Sequence, residues 1–396
     1  MSTRDTALAA TLGAPEAAKD SQVDLSLSMR STVLPRLVRV GEAAPSDAGE
    51  QRFVPVRVLG RGGLGEVALV HDHDIDRPVA LKRLHGAASS EEMVYRFAQE
   101  IRTVGQLEHP NIAPVHDVGV DDHGHTYFVM RYVEGETLEG VITRLASGDP
   151  ESHRHFTFER RVEVFLNILH AIQYAHSRQI IHRDIKPANV MIGPYGEVLM
   201  MDWGIAKKRG DAERAGAEGG DDTSLYRTRS GSLVGTPAYM SPEQAAGRNE
   251  QIDERSDVYS LCVVFYELLS LQYYLPGRKS LAEVLAAICN DRQVHASHVP
   301  SNPYQTPVPA ELAWFIEKGL AKDPADRYQS VTEMIDTLHR VLAGEFAVQC
   351  PVTLMKRVGG SGVRFADHHP MMAMAGSIVL MLLFAFAVFE LVRALT

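Results

Sequence analysis

His182-Arg183-Asp184-Ile185-Lys186-Pro187-Ala188-Asn189-Val190 decides how the rest of this chain is read. It sets an acid (Asp184), a base (Lys186) and an amide (Asn189) on one short loop. Apolar runs on either side, residues 179–181 and 190–192, predict short buried strands. A further apolar run, 198–201, predicts a strand ending at Asp202-Trp203-Gly204. One loop therefore offers an acid and an amide, and the next strand end offers a second acid. That set suits a base, a metal pair and a highly charged substrate.

The bulk numbers leave room for this chemistry. At 396 residues the chain is long enough for two or more lobes with real cores. Its 45% apolar and 23% charged residues are an ordinary globular mix. A net charge of -10 argues against a general nucleic-acid binder, so no nucleic-acid partner is expected. Cys262, Cys289 and Cys350 lie far apart without zinc-type spacing. They read as reduced, buried thiols in a cytosolic compartment. The first residues show no apolar core of a secretory signal.

Upstream of the quoted loop, residues 1–50 are rich in Ala, Ser, Asp and Pro and read as a disordered arm, with Leu and Val among arginines in 26–40. Residues 53–59, 66–72 and 77–84 predict three strands, the first two around a glycine turn. A helix is predicted over 91–107, then strands over 112–120 and 126–132. From residue 137 the texture turns helical: 138–145, a polar loop at 147–155, and a long amphipathic helix over 158–178.

Downstream, residues 207–233 hold five acids between Asp211 and Asp222 and read as a long mobile segment. Helices follow at 254–270, 281–289, 309–320 and 330–342, with Pro309 in a first turn and Ser330 as an N-cap. The pattern is α+β: a small, mostly antiparallel sheet with one helix, then a larger helical lobe. A linker, 345–370, precedes 371–389, which is 19 residues without a charge. As a helix it spans about 28 Å, close to a bilayer core of ~30 Å, so a single transmembrane helix is expected. Lys356, Arg357 and Arg364 precede it. The positive-inside pattern places the large domain in the cytoplasm and leaves 390–396 as a short external tail.

Gly60-Arg61-Gly62-Gly63-Leu64-Gly65-Glu66-Val67 lies between two predicted strands. Glycines there let backbone amides approach phosphate oxygens, although an ordinary hairpin turn has the same pattern. A dinucleotide fingerprint needs a helix next, yet residues 66–70 alternate like a strand. The strand context favours a flap over nucleotide phosphates. Val79-Ala80-Leu81-Lys82 ends an apolar triplet on a lysine. Glu100, on the following helix, can face the sheet and hold Lys82 by an ion pair.

Taken together, these motifs resemble the eukaryotic-type (Hanks-type) serine/threonine protein kinases of bacteria, in their membrane-bound form. The match runs from Phe53 to about Leu342 and includes the glycine turn, Lys82, Glu100, His182-Arg183-Asp184, Lys186, Asn189, Asp202-Trp203-Gly204 and Ser241-Pro242-Glu243. The resemblance implies a bilobal fold over 51–344, with an N-lobe 51–132 and a C-lobe 133–344. It implies ATP and Mg²⁺ as cofactors and proteins as substrates. Asp184 would orient the acceptor hydroxyl and take its proton, and Lys186 would neutralise the transferring phosphoryl group. Asn189 and Asp202 would hold the metal, for which hard oxygen ligands suit.

By the same resemblance Leu59, Gly60, Gly62, Gly65, Val67, Ala80, Met130, Tyr132, Val133 and Met191 would surround the nucleotide. Met130 would be the gatekeeper, with Arg131, Tyr132 and Val133 the hinge. Relatives usually carry Glu where Arg131 stands. Glu136 reads either as a ribose contact or as a surface carboxylate. Arg183 implies control by phosphate on the segment that follows, with Thr223, Ser224, Thr228, Ser230 and Ser232 as acceptors, autophosphorylated in trans within a homodimer. Thr236 would position substrate, and Glu243, Asp257 and Arg327 would be structural. Three departures stand out: Trp203 for Phe, Cys262 for Gly, and the 42-residue stretch from Asp202 to Glu243. A pseudokinase scaffold and a small-molecule kinase are the competing functional classes.

Overall fold

The computed structural model describes residues 51–62, 65–84, 91–203, 206–208, 237–278, 280–299 and 302–345. The arm 1–50, the hydroxyls Thr223 to Ser232, Thr236, Cys350 and the apolar stretch 371–389 lie outside these residues. Among the described residues no helix is long and apolar enough to cross a membrane.

Five antiparallel strands form the small lobe: β1 (Phe53–Arg61), β2 (Gly65–Asp72), β3 (Arg77–Leu84), β4 (Val115–Val120) and β5 (Thr126–Arg131), in the spatial order β1-β2-β3-β5-β4. One face buries Phe53, Ala68, Val70, Val79, Leu81, Tyr127 and Val129. The other packs Leu84 and Phe128 on Phe97 of α1 (Glu91–Val104). Strand alternation produces this split, because odd and even positions leave a pleated chain on opposite sides.

A two-residue strand β6 (Glu136–Thr137) leads into the helical lobe: α2 (Leu138–Ser147), α3 (Pro150–His155) and α4 (Phe158–Ser177). Short strands follow, β7 (Ile180–Ile181), β8 (Val190–Ile192), β9 (Val198–Met200) and β10 (Lys207–Lys208). β6, β8 and β9 form one small sheet, and β10 pairs with β7 in another. The lobe is completed by α5 (Pro242–Ala245), α6 (Glu254–Ser270), α7 (Leu281–Asn290), α8 (Ala310–Gly319) and α9 (Val331–Leu342). α6 runs through the centre, with Val258 to Phe265 at 3% exposure or less. Its Phe265 ring stacks on Phe165 of α4 at 4.0 Å.

Several predicted boundaries move, each for a local reason. The polar loop expected at 147–155 is partly helix. Asp149 caps α3 by accepting the Ser152 N–H, and Pro150 sits in its first turn, where a missing N–H costs nothing. α1 stops at Val104 rather than at residue 107. β4 begins at Val115, not at Ile112, which makes only an isolated bridge to Met200. Pro309 is the N-cap of α8 rather than a residue of its first turn. Cys262 is fully buried, but Cys289 is only half-buried.

Candidate active site

The site forms where the sheet lobe faces β8 and β9. In β3, Lys82 stands opposite Val67 of β2 and Phe128 of β5. That register points it toward α1, where Nζ donates to Glu100 Oε1 at 2.5 Å. The same Nζ reaches Asp202 Oδ1 at 3.1 Å, across a sequence separation of 120 residues. Burial pulls the Lys82 ammonium down, but Asp202 and Glu100 outweigh it and hold its pKa above the usual value. The two acids part ways. Burial, with the nearby Asp202 charge, pushes Glu100 above the usual carboxylate range. Asp202, whose side chain is 46% exposed, is held below that range because Lys82 overcomes desolvation. Two carboxylates sharing one cation divide in this way when one of them is less solvated.

The loop after β7 supplies the other half. Asp184 Oδ2 accepts from Lys186 Nζ at 2.6 Å and from Asn189 Nδ2 at 3.2 Å. Asn189 also donates to the Asp184 carbonyl at 2.9 Å, closing the loop on itself. Pro187–Asn189 is a 3-10 turn that tightens the chain before β8. Arg183 and Asp202 both take positive φ, 68° and 58°. Non-glycine residues hold that backbone only when their surroundings fix it.

Asp257 in the first turn of α6 provides that fixation for Arg183. It is fully buried and accepts the His182 and Arg183 backbone N–H groups, both at 2.9 Å. His176 Nε2 adds a third contact at 2.7 Å. Burial pushes the Asp257 carboxyl up, but these donors pull it below its ordinary range. His182 is itself buried, and desolvation pushes its pKa down. Trp203 packs against it with ring centroids 4.5 Å apart and is 1% exposed. The indole therefore fits between its neighbours. Among the described residues its Nε1–H has no hydrogen-bond partner, nor do His182 Nε2 and Glu100 Oε2.

Further back, Glu243 and Arg327 form a bidentate pair at 2.9 Å and 2.9 Å. Ser256 Oγ adds 2.5 Å to Glu243 Oε1. The remaining guanidinium donors go to the carbonyls of Arg255, Ala321 and Lys322.

The residues expected around a nucleotide are placed as follows. Ala80 is buried opposite Met130, and Met130 is half-buried against Leu84, Phe97 and Phe128. Leu59 is 37% exposed, Val67 and Met191 half-buried, and Val133 buried. Tyr132 accepts a hydrogen bond from Arg57 at 3.4 Å. Glu136 pairs with Arg144. Of the turn glycines, Gly60 and Gly62 have open space or only distant contact where a Cβ would stand. At Gly65 a Cβ would lie 2.1 Å from the Arg83 carbonyl, so this glycine serves the close approach of β3.

Sequence reasoning missed three supports. His176 orients Asp257, Gln244 donates to the Arg183 carbonyl at 2.9 Å, and Glu66 ties Arg61 at 2.8 Å to Arg83 at 3.5 Å beneath the glycine turn. Only Gln244 carried a readable signal, the Ser241–Gln244 capping box.

Chemically, the arrangement is an oxygen-rich pocket beside two lysines. Asp202, Asp184 and the side-chain oxygen of Asn189 are hard donors that fit Mg²⁺. Lys82 and Lys186 fit phosphate oxygens.

The protein kinase domain family matches residues 53–339. Serine/threonine-protein kinase PknD of Protochlamydia amoebophila is 35% identical over 308 residues, covering 76% of this chain and 31% of that protein. A probable serine/threonine-protein kinase of Streptomyces coelicolor is 35% identical over 321 residues, covering 80% and 44%. Serine/threonine-protein kinase PknD of Chlamydia trachomatis serovar D is 31% identical over 321 residues, covering 78% and 33%. The chain thus spans less than half the length of each of these relatives.

Proposed function

Because this chain belongs to the protein kinase domain family, among the bacterial Hanks-type serine/threonine kinases, we propose that it transfers the γ-phosphoryl group of ATP to serine and threonine hydroxyls of proteins. The observation that carries this reading is Lys82 joined at once to Glu100 and Asp202, with the bonded Asp184–Lys186–Asn189 loop as the other half of the site.

In this reading Lys82 holds the α- and β-phosphates, and Glu100 fixes where Lys82 stands. Asp202 and Asn189 hold Mg²⁺, which neutralises charge on the phosphates when bound. Asp184 aligns the acceptor hydroxyl and receives its proton. Alignment matters more than base strength, because the transferring group is loosely bonded at the top of the barrier. Lys186, 2.6 Å from Asp184, places a positive charge where the acceptor and the phosphoryl group meet. Asp257 keeps the Asp184 loop in its strained backbone and touches no reactant.

Regulation follows from Arg183. A phosphate on Thr223, Ser224, Thr228, Ser230 or Ser232 would pair with its guanidinium, added by a second copy of the chain. Thr236 positions the acceptor protein. The apolar stretch 371–389 anchors the chain in the cell membrane as a single pass, with the kinase domain on the cytoplasmic side. Removing residues 371–396 then yields a kinase that no longer sediments with membranes.

The decisive experiment is radiolabelled phosphate transfer from ATP by the wild type and by Asp184→Asn, with the modified segment mapped afterwards. Transfer by the wild type that falls about 10²–10⁴-fold in the variant supports the reading. Equal, low incorporation in both would overturn it in favour of a nucleotide-gated scaffold.

A further inference from the structure

Arg131 closes β5 where the chain crosses from the sheet lobe to the helical lobe. Lys82 and Phe128 are register partners and share the face that looks into the cleft. Strand alternation puts Met130 on that face too and turns Arg131 to the opposite one. There its guanidinium meets Glu197 Oε1 at 3.6 Å. Glu197 sits on the turn joining β8 to β9, and so belongs to the other lobe.

The carboxylate is held ready for this contact. Its Oε2 accepts the Tyr195 N–H at 3.0 Å. It lies over Gly193, where any Cβ would come within 2.5 Å of it. Arg131 is anchored by its own N–H to the Pro114 carbonyl at 3.2 Å. The lobes are also joined by backbone bonds, Ala113 N–H to Met200 O at 3.1 Å and Met200 N–H to Asn111 O at 2.8 Å. Those bonds act as a fixed edge, whereas the ion pair, 47% and 30% exposed, can part and re-form.

We propose that Arg131 is a positioning residue for nucleotide binding, acting through Glu197 as an electrostatic strap on the outer side of the hinge that opposes cleft closure. When two lobes close over a ligand about a hinge, points on the far side of that hinge move apart. Closure therefore stretches the Arg131–Glu197 contact, and the attraction lost is charged against nucleotide binding. The two charges are partly exposed, so the effect is modest and is screened by salt. This inference rests on the kinase reading for its ligand, but not for its motion.

Two readouts on the purified full chain separate the two. The first is calorimetric titration with Mg-ADP at low and at raised salt. Arg131→Ala and Glu197→Ala each bind about two- to fivefold tighter than the wild type at low salt, and this advantage vanishes at raised salt. The double reversal Arg131→Glu with Glu197→Arg restores wild-type affinity, which a merely structural residue would not do. The second is the spin-label distance between Val120→Cys and Val294→Cys, with Cys289 and Cys350 replaced by serine. The two label sites are 62% and 48% exposed and lie in opposite lobes. Raised salt shifts this distance in the wild type and leaves it unchanged in Arg131→Ala. Unaltered affinity, weaker binding in the alanine variants, or a salt response of the distance that survives Arg131→Ala would each overturn the strap. A salt-dependent distance without any nucleotide binding would keep the strap and sink the kinase reading instead.

Discussion

Lys82–Glu100 in the sheet lobe and Arg327–Glu243 in the helical lobe both take charge out of water, but they differ in how completely that charge is met. Arg327 is 0% and Glu243 3% exposed, and each carboxylate oxygen has a guanidinium partner. Burial pushes Glu243 up, yet Arg327 more than reverses it, so the acid is held below its ordinary range. Glu100 is 2% exposed and has one bonded oxygen, and its second is buried without a partner among the described residues. Its cation is shared with Asp202. A pair with every donor and acceptor matched holds one geometry. A pair with an unmet oxygen and a shared cation can be redistributed when a ligand brings new charge. The first arrangement is architecture and the second is a site, and the difference lies in hydrogen-bond completeness rather than in depth.

The sharpest way to break this contrast is Arg327→Ala. It strands a buried carboxylate and should cost about 3–5 kcal/mol, read as a large drop in the denaturant midpoint. A loss below about 1 kcal/mol would make the pair no more structural than its counterpart. Lys82→Met is the complementary test. Phosphoryl transfer should be lost while the melting temperature falls far less than in Arg327→Ala, because Glu100 already lies above the usual carboxylate range and can take up a proton. Unfolding of this variant would remove Lys82 from the nucleotide cleft.

Acid separates the pairs by sign. Glu243 and Asp257 titrate below their ordinary values in the folded chain. They stabilise the fold above the unfolded pKa and lose that contribution only as pH falls through the lowered, folded one. Burial and the nearby Asp202 hold Glu100 above its ordinary value, so folding works against its charged form, and it takes up a proton before Glu243 and Asp257 on acidification. Transfer activity should therefore decline on mild acidification, while the melting temperature holds until pH passes below the usual carboxylate range. Simultaneous loss of both would merge what the two pairs keep apart. The smallest effect is expected at Trp203→Phe. Lost indole packing is offset by removing an N–H that has no described partner, so stability should change by about 1 kcal/mol or less in a denaturation curve. A larger fall would mean that the indole N–H is bonded in solution.

Much of this site was legible in one dimension because its chemistry is local. Asp184, Lys186 and Asn189 lie within six residues, and their mutual bonds follow from a turn that short. The strands of the small lobe were readable from alternation, and α6 from its mostly apolar stretch, residues 258–269. The helix at Pro150–His155 was hidden by its polar composition, although Asp149 and Pro150 carried a start signal. The glycine turn was read for phosphate contact, whereas Gly65 answers first to a strand pressed against it.

By itself the sequence determined the order of the elements and the two-lobed α+β plan, and it nominated the charged groups of the candidate site, since each is written in spacing and period. The tertiary structure alone decided which charges share a partner. That Lys82 reaches Asp202 as well as Glu100, that His176 braces Asp257, and that Arg131 reaches across the hinge to Glu197 are facts of packed geometry that sequence spacing does not carry. Electrostatic energy depends on distance and desolvation, and neither is defined until the chain has packed.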